Sequence, residues 1–256
     1  MFVSHLSLKD FRSYENLELS LKAGQNIFIG ENGEGKTNII EALMYLALLS
    51  SHRISNDQPL IKLGSERAYI RAKIESDERT TLVELEINNG KANRAKVNQN
   101  PVRSQKELLG LVKSVCFSPE DLDLVRGDPS ERRSFLDQLL IQQSPRLAGV
   151  ISDYERALKQ RNSLLKSRAP ESSLRSWSEH LATFGGEVIA GRIKLINEIE
   201  PLFQIAYKNL SAKKLAKLGY KSSIPAPSTE KEVNRELMLK VIEEVKSQEI
   251  ERGISL

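Results

Sequence analysis

The amino-acid sequence predicts an α/β protein in two parts, a sheet-rich part followed by a mainly helical part. Three observations support this prediction. A glycine-rich loop pattern lies between an apolar run and a helical run, within residues 26–50. Several segments before residue 101 alternate between polar and apolar residues, which is typical of strands with one wet face. After residue 118, apolar residues recur at the three- and four-residue spacings of helices.

The composition fits a globular protein with a hydrophobic core. The 256 residues are 39% hydrophobic and 28% charged, which suffices for one large domain or two lobes. No apolar run approaches the ~20 residues of a membrane helix, and the N-terminus lacks the basic and apolar regions of a signal peptide. The single cysteine, Cys116, cannot form an internal disulfide, which suits the reducing cytoplasm. We therefore expect a cytoplasmic protein with no membrane segment.

The chain is mildly basic. It has 38 Lys and Arg against 34 Asp and Glu, a formal net charge of +4, and its pI is about 9.0. This charge is compatible with nucleic-acid binding without proving it. Because the basic residues are not concentrated in a tail, any basic surface must be assembled by folding.

Strands are predicted on both sides of the glycine-rich loop. Before the loop, residues 2–8 and 17–21 alternate, and residues 26–29 are expected to form a short buried strand that leads into it. After the loop, we expect an antiparallel meander with Asn89-Gly90 as a hairpin turn. A short apolar strand at residues 114–117 is then expected to return to the central sheet. The remaining predicted strands are residues 68–74, 83–87, 94–97 and 218–224.

Helices dominate after residue 118. The first begins at Asp128-Pro129, where the aspartate can cap the first turn and proline fits the first helical position. A second begins at Ser144-Pro145, and a third covers residues 173–210, with bends expected at Gly185-Gly186 and Pro201. The short connector between the second and third helices predicts that they pack antiparallel. The pattern Thr229-x-x-Glu232 predicts a capping box for the last helix.

Residues 30–37 match the phosphate-loop pattern G-x-x-x-x-G-K-[ST] without a mismatch, between a predicted strand and a predicted helix as that motif requires. The three glycines let the backbone turn tightly and point successive N–H groups inward. The following helix adds the partial positive charge of its N-terminus. Lys36 can then reach the β- and γ-phosphates of a nucleotide, and the Thr37 hydroxyl is placed for Mg²⁺. The motif therefore predicts binding of a nucleoside triphosphate with Mg²⁺.

Two motifs that accompany such a loop in related ATPases are missing after Thr37. One is an apolar strand that ends in an acidic residue, which helps to hold Mg²⁺ and orient water. Residues 115–118 are followed by Pro119-Glu120 instead. The other is a signature sequence of the type L-S-G-G-Q. We therefore expect that the chain is a fragment, that the catalytic acids lie beyond residue 256, and that the chain itself contains no catalytic residue.

Three stretches resemble one known family. The first is Leu-x-Leu-x-x-Phe-Arg-Ser-Tyr at residues 6–14. The second is the loop with its next residue, 30–38, followed by Ser-His-Arg at 51–53. The third and most specific covers residues 117–137 and begins Phe-Ser-Pro-Glu-Asp-Leu. Together they resemble the bacterial RecF family of recombination mediators, which are relatives of the SMC ATPases and of ABC-type ATPase heads.

The resemblance implies a fold and a division of the chain. It implies an ABC/SMC-type P-loop ATPase lobe at residues 1–118, with a mixed sheet around the loop helix and an antiparallel β meander. It also implies an α-helical second lobe at residues 119–256. The predicted fold class is therefore α/β with two lobes.

The resemblance also implies a function, ATP-dependent DNA binding in replication, recombinational gap repair and the SOS response. RecF proteins bind single-stranded DNA, double-stranded DNA and junctions, and act with RecR and RecO. They form an ATP-dependent homodimer and are weak DNA-dependent ATPases. For this chain we expect binding of ATP and Mg²⁺, a monomeric state and little turnover, because the signature motif is missing. Two alternatives stay open here, a P-loop phosphotransferase for small molecules and an SMC-like architectural head.

The predicted nucleotide site combines the loop with one arginine. Arg12 falls where related ATPases place an arginine near the nucleotide, and a guanidinium suits phosphate recognition. The predicted nucleotide-binding residues are Gly30, Glu31, Asn32, Gly33, Glu34, Gly35, Lys36, Thr37, Asn38 and Arg12, with Thr37 also as the Mg²⁺ ligand.

Other basic residues are weaker candidates. His52 and Arg53 follow the loop helix, where they could contact nucleotide or DNA or form a solvated helix end. Arg132 and Arg133 stand near a helix start, against the usual dipole preference, and could pair with Asp121 or Asp137 or contact phosphate. Basic residues on the predicted wet face of the meander, for which a solvated strand face is the simpler interpretation, are Arg71, Arg94 and Lys96.

Overall fold

The computed structural model describes residues 1–51, 54, 56–77, 79–211 and 216–255, and for Glu120 the backbone alone. The chain forms two compact units. The sheet unit consists of Met1–Arg126 and Ile141–Pro145, and the helical unit consists of Gly127–Leu140 and Arg146–Leu256. The expected lobe boundary between residues 118 and 119 stays a prediction, and in these compact units residues 119–126 belong with the sheet.

Among its described residues, the sheet unit contains six strands. They are β1 (Phe2–Phe11), β2 (Tyr14–Ser20), β3 (Arg67–Ser76), β4 (Arg79–Asn88), β5 (Arg94–Val97) and β6 (Asn100–Pro101). Their order in the sheet is β2-β1-β3-β4-β5-β6, and every pairing is antiparallel. In β3 and β4 buried residues alternate with more exposed ones, so one face packs on the core and the other faces solvent. The predicted meander is confirmed, but β4 and β5 are joined by the five residues 89–93, so the prediction of a two-residue hairpin turn at Asn89-Gly90 is wrong.

The first helix, α1 (Lys36–Leu48), packs on the buried face of this sheet. Ala42, Tyr45, Leu46 and Ala47 are fully buried, in the same hydrophobic cluster as the inward side chains of β1, β3 and β4. The helix is therefore held on most of its sides, as its apolar composition predicts. Because the core fixes α1, it also fixes the end of the glycine-rich loop that precedes it.

Two segments predicted as strands do not form strands. Residues 26–29 and 114–117 are irregular. Phe28 packs against the core, but four other apolar side chains of these segments are largely exposed. Ile27 is 79% exposed, Ile29 92%, Val115 82% and Phe117 88%. The strand predictions for these segments are wrong because a strand needs a neighbour to accept its backbone hydrogen bonds. Among the described residues, neither segment is paired with one of the six strands.

Helices form the second unit, as the sequence predicts. The remaining α-helices of the chain are α2 (Asp123–Arg126), α3 (Pro129–Gln143), α4 (Leu147–Lys166), α5 (Glu171–Leu210) and α6 (Lys231–Arg252). Short 3-10 helices cover Gln58–Leu60, Gln105–Leu108 and Pro119–Leu122. α3 begins at Pro129 as predicted, and the Glu131 N–H donates to the carbonyl of Asp128 at 3.1 Å.

The long helices pack antiparallel, which confirms the prediction for α4 and α5. Arg161 near the end of α4 contacts Ser178 near the start of α5, whereas the start of α4 lies beside Gly191, further along α5. α5 continues as one helix through its Gly-Gly pair, and that pair lets α6 approach closely. A Cβ on Gly186 would lie 2.6 Å from the carbonyl oxygen of Lys231, so only glycine fits there.

Two further predictions in this unit are wrong. α6 begins at Lys231 with Glu230 as its N-cap residue and no side-chain cap, so the predicted capping box at Thr229 does not form. Instead, Ser228 Oγ accepts a hydrogen bond from the Glu230 N–H, and the fully buried Asn234 fixes Ser228 through both of its backbone groups. The predicted strand at residues 218–224 is irregular, since the described residues of this helical unit offer it no neighbouring strand.

Candidate functional site

The glycine-rich loop enters α1 through two left-handed glycines. Gly33 has φ 92° and Gly35 has φ 95°, values that glycine adopts without strain. Gly35 is the N-cap residue of α1, and because it has no side chain, it cannot cap the first N–H groups of the helix. Those N–H groups and the positive end of the helix dipole are therefore directed at the loop, the usual arrangement for binding an anion.

Lys36 is anchored inside the loop. Its ammonium group donates hydrogen bonds to the carbonyl oxygen of Gly30 at 2.8 Å and to that of Glu31 at 2.5 Å. These two bonds close the loop from its first residue to its last. A lysine ammonium has three donors, so one remains for a ligand. The side chain is thus held at the place where the motif predicts contact with phosphate.

Glu34 adds a negative charge to the loop. One of its carboxylate oxygens accepts a hydrogen bond from the Glu31 N–H at 2.9 Å. The Tyr14 hydroxyl lies 3.5 Å from the Glu34 carbonyl oxygen, and burial together with the Glu34 charge raises the pKa of Tyr14. The loop therefore combines inward-facing donors with one carboxylate that any bound phosphate must tolerate.

The turn between β1 and β2 supports the loop from one side. Phe11 pairs with Tyr14 across this hairpin, so Arg12 and Ser13 form a two-residue turn. Ser13 Oγ accepts a hydrogen bond from the Asn38 side chain at 3.1 Å. A Cβ on Gly35 would lie 2.8 Å from the Tyr14 hydroxyl oxygen and 3.0 Å from Ser13 Oγ, so this close contact also requires glycine. Sequence reasoning missed this support, although both stretches belong to the quoted resemblance.

Arg12 forms a bidentate ion pair with Glu41 of α1. Its Nε donates to one carboxylate oxygen at 2.9 Å and its terminal nitrogen to the other at 2.6 Å, and it also donates to the Pro59 carbonyl at 3.0 Å. Glu41 is fully buried and further accepts a hydrogen bond from Ser51 at 2.6 Å. Glu41 was missed as well, although a lone carboxylate in an apolar helix is a signal of a buried partner. Contact of Arg12 with a nucleotide stays a prediction.

A cavity of about 630 Å³ opens beside this arrangement. On the loop side it is lined by Arg12, Ser13 and Asn38, and on the opposite side by residues that follow α1. That opposite wall consists of Gln58, Pro59, Ile61, Lys62, Leu63, Gly64, Ser65 and Asn89. The cavity is large enough for a nucleoside-sized group.

Thr37 is the second residue of α1, and it is exposed. Its hydroxyl is a single protein oxygen beside the loop. Mg²⁺ in nucleotide sites keeps several waters and binds one or two protein oxygens together with the phosphates. The donor chemistry at Thr37 therefore fits Mg²⁺ carried by a nucleotide, and the metal role stays a prediction.

The other candidate residues are placed away from the loop or in local contacts. His52 and Arg53 lie outside the described residues. Arg132 donates to the Gly127 carbonyl at 3.0 Å. The two aspartates considered as partners are engaged elsewhere: Asp121 accepts from the Ser118 N–H at 2.6 Å and Asp137 from Arg192 at 2.8 and 2.7 Å. Burial lowers the pKa of Arg192, but the Asp137 carboxylate beside it outweighs this effect and raises that pKa.

Neither a metal-binding cluster nor a membrane-spanning helix is present among the described residues. Within the described ranges, no group of three or more His, Cys, Asp or Glu side chains could hold a metal ion. None of the described helices combines the length and apolar character that crossing a membrane requires.

Comparison with known proteins identifies the fold. The AAA domain family model matches residues 5–252. The structure of the recombination mediator protein RecF-ATPrS in the RecFOR pathway is similar with a TM-score of 0.92 and 25% identity, over 99% of this chain and 70% of that one. The RecF-ATP structure is similar with a TM-score of 0.87 and 26% identity, over 100% of this chain and 70% of that one.

Relatives with much higher identity give the same result. The DNA replication and repair protein RecF of Streptomyces avermitilis is 48% identical over 268 residues, which cover all of this chain and 72% of the relative. That of Kineococcus radiotolerans is 46% identical over 276 residues, which cover all of this chain and 71% of the relative.

The fold and the loop define the class of protein, a P-loop protein with an AAA domain and the ATPase fold of RecF. The predicted fold class is therefore confirmed. Within that class, the identities above 40% over the whole chain decide the family, and the chain belongs to the RecF family.

Proposed function

We propose that this chain binds ATP·Mg²⁺ at residues 30–38 and uses the bound nucleotide to control DNA binding in replication and repair. One observation carries the proposal. The loop ends in a helix N-terminus that no side chain caps, with the Lys36 ammonium already anchored on the carbonyls of Gly30 and Glu31. An anion placed there meets several converging donors, and it has to displace the Glu34 carboxylate from the Glu31 N–H.

Each part of the nucleotide has a proposed contact. The loop N–H groups, from Gly30 to Asn38, hold the phosphates, and Lys36 gives its remaining N–H group to the β- and γ-phosphates. The nucleoside occupies the cavity of about 630 Å³, where Arg12, Ser13 and Asn38 form the near wall. Thr37 contributes the protein ligand to Mg²⁺, which neutralises part of the phosphate charge when it is bound.

Little ATP hydrolysis is expected of this chain. Hydrolysis needs a carboxylate or amide placed to orient the attacking water. The two acidic side chains closest in sequence to the loop helix are engaged, Glu34 with the Glu31 N–H and Glu41 with Arg12. We therefore propose nucleotide binding with slow turnover, which a phosphate-release assay checks.

The functional setting follows from the family. Curated relatives are DNA replication and repair proteins, which supports single-stranded DNA, double-stranded DNA and junctions as ligands, and the cytoplasm as location. By resemblance, the proposal extends to RecR and RecO as partners, to the SOS response and to an ATP-dependent homodimer of the family. This chain is expected to stay monomeric, which light scattering with and without ATP·Mg²⁺ checks.

The proposal is tested by measuring DNA affinity by fluorescence anisotropy with and without ATP·Mg²⁺. The wild-type chain should bind DNA more tightly with nucleotide, and Lys36→Met should not respond to nucleotide. Lys22→Met is the matched control, since Lys22 is exposed in the turn after β2 and the variant loses the same charge. An equal response of Lys36→Met, or DNA binding by the wild type that ignores nucleotide, contradicts the proposal.

A further inference from the structure

The solvent face of the sheet contains a groove of about 470 Å³ near its β5–β6 edge, here named the outer-face groove. Its lining contains four basic residues, two glutamates and one tyrosine among uncharged residues. The lining residues that matter for its charge are Tyr69, Arg71, Glu84, Glu86, Arg94, Lys96 and Arg103. The groove lies on the face opposite to the hydrophobic core, so it takes no part in holding the sheet to α1.

The two glutamates of the groove are already neutralised by arginines of β3. Arg71 donates to Glu84 at 2.9 Å, and Arg67 lies 3.4 Å from Glu86. The strand register explains this pairing, because Arg71 is directly opposite Glu84 across the β3–β4 ladder. Cross-strand pairs of opposite charge stabilise a sheet, so these four charges have a structural reason.

The cations of β5 and of the turn after β6 are surplus to that pairing. Arg94 and Lys96 are the direct β5 neighbours of Glu86 and Glu84. They are two residues apart and therefore project from the same face, about 7 Å from each other. With Arg103, all three are exposed, and among the described residues no ion pair joins their side chains to a carboxylate. The nearest carboxylate to Arg103 is that of Glu107, which accepts a hydrogen bond from the Arg103 backbone N–H at 2.9 Å. The groove is therefore left with three cationic side chains that have no ion-pair partner.

Protection of the sheet edge does not explain this surplus. Charged residues often stand on edge strands, where they prevent pairing with another chain. β6 covers β5 at Lys96 and Val97, and the side chains of Arg94 and Lys96 project from the face of the sheet, beside Glu86 and Glu84 of β4. Three like charges around one groove repel each other, which favours an anionic ligand that relieves the repulsion.

We propose that the outer-face groove binds the sugar–phosphate backbone of DNA, through Arg94, Lys96 and Arg103. The inference rests on the proposed function, since it names the surface for a ligand proposed there. The Arg71 guanidinium lies over the ring of Tyr69, 5.4 Å from its centroid, so this ring face is not offered to a base. Contact is therefore with phosphates and is independent of sequence.

The test is a triple variant, Arg94→Gln, Lys96→Gln and Arg103→Gln. The matched control is Lys22→Gln, Arg79→Gln and Lys113→Gln, which removes three charges from other exposed positions of the same unit. DNA affinity is measured across a salt series in the presence of ATP·Mg²⁺, for duplex and for single-stranded DNA of two unrelated sequences. ATP binding and thermal unfolding of every variant are measured in parallel.

The groove variant should lose at least about tenfold in DNA affinity at low salt. The negative slope of log K against log salt should become shallower by about 2.7 for duplex and about 2 for single-stranded DNA. These values follow from three lost phosphate contacts, at ~0.9 and ~0.7 per contact. The control should keep a slope close to wild type, and ATP binding should be unchanged in both.

The outcomes separate this inference from the proposed function. If the groove variant and the control have the same slope while the wild type binds DNA in response to ATP, the groove assignment is wrong and the proposed function stands. A preference of more than about tenfold between the two DNA sequences contradicts backbone contact. If the wild type binds no DNA with ATP·Mg²⁺ present, the proposed function and the groove fail together.

Discussion

Two buried arginine–glutamate pairs, one in each unit, differ in a way that separates function from support. Arg161 of α4 binds Glu249 of α6 through both terminal nitrogens, at 3.1 and 2.5 Å. Arg12 also binds Glu41 in a bidentate manner, but through Nε and one terminal nitrogen. The side chains of the first pair are 3% and 2% exposed. In the second pair Glu41 is fully buried, but Arg12 keeps 19% exposure and lines the cavity beside the loop.

The Arg161–Glu249 pair, here named the closed pair, joins the helices of the helical unit. Arg161 also donates to Ser178 of α5 at 2.9 Å and to Ser255 after α6 at 2.7 Å. Four of the five N–H donors of the guanidinium are therefore used inside the unit. The pair borders a cavity of about 330 Å³, but its two side chains are almost fully buried. This network ties together three helices that local sequence alone would not place.

The Arg12–Glu41 pair, here named the open pair, supports the loop. Arg12 stands in the two-residue turn after β1, with a left-handed φ of 54°, a conformation that costs a non-glycine residue about 1 kcal/mol or more. Its ion pair fixes that turn against α1, and the same turn carries Ser13 and Tyr14 to the loop. The comparison shows that burial of an ion pair does not by itself indicate the role of that pair. The exposed side of Arg12, which lines the cavity beside the loop, does indicate one.

The largest expected effect is on the closed pair. Glu249→Gln should lower the free energy of unfolding by about 3–5 kcal/mol, because it leaves a buried arginine without its counter-charge. Its affinity for ATP should be that of wild type at temperatures where it is folded. Chemical denaturation and nucleotide titration check both statements. A loss of ATP affinity in the folded variant would remove the distinction between the two pairs.

The same substitution in the open pair should affect both properties. Glu41→Gln should lower the free energy of unfolding by about 1–3 kcal/mol, less than in the closed pair because Arg12 can turn to solvent. ATP affinity should also fall, by about tenfold, because the turn beside the loop loses its anchor. The same two measurements apply, and an unchanged affinity would show that Arg12 and Glu41 are purely structural.

The packing of the helical unit can be tested without touching either pair. Gly186→Ala should destabilise the chain by about 1–3 kcal/mol, because the new Cβ would meet the backbone of α6. Gly149→Ala is the control, since Gly149 lies in α4 with no atom within 4 Å of a new Cβ. The control should be neutral or up to about 1 kcal/mol more stable. Equal unfolding midpoints for the two variants would contradict the close approach of α6.

The smallest expected effect concerns the charge inside the loop. Glu34→Gln keeps an acceptor for the Glu31 N–H but removes a negative charge beside the phosphates, so ATP affinity should rise about threefold. Stability should not change, because Glu34 is exposed. Calorimetric titration checks the prediction, with Glu34→Ala to separate charge from hydrogen bonding. A fall in ATP affinity in both variants would show that Glu34 stabilises the loop and does not repel the phosphates.

The sequence predicts best where one residue pattern suffices to form the element. The alternation in β3 and β4 places their buried faces correctly, and the phosphate-loop pattern gives the position of Lys36 at the start of α1. Both signals are local, since strand alternation and glycine spacing follow from backbone geometry. The antiparallel helix pair follows from its short connector in the same way.

Prediction fails where an element depends on a distant partner. The apolar residues 26–29 and 114–117 have the composition of strands but no neighbouring strand among the described residues, and they remain irregular. The pairing of Arg12 with Glu41 joins positions 29 residues apart, and no spacing rule connects them. The capping box at Thr229 does not form, because the Asn234 side chain binds both backbone groups of the preceding residue, Ser228.

The most direct test of the account is calorimetric titration of ATP·Mg²⁺ into the wild-type chain, Lys36→Met and Lys22→Met, each confirmed as folded by circular dichroism. The account predicts saturable one-to-one binding by the wild type and by Lys22→Met. Binding by Lys36→Met should be weaker by at least about tenfold, since a charge-assisted hydrogen bond contributes ~1.5–3 kcal/mol. No binding by the wild type, or equal binding by Lys36→Met, would contradict the assignment of the loop as the nucleotide site.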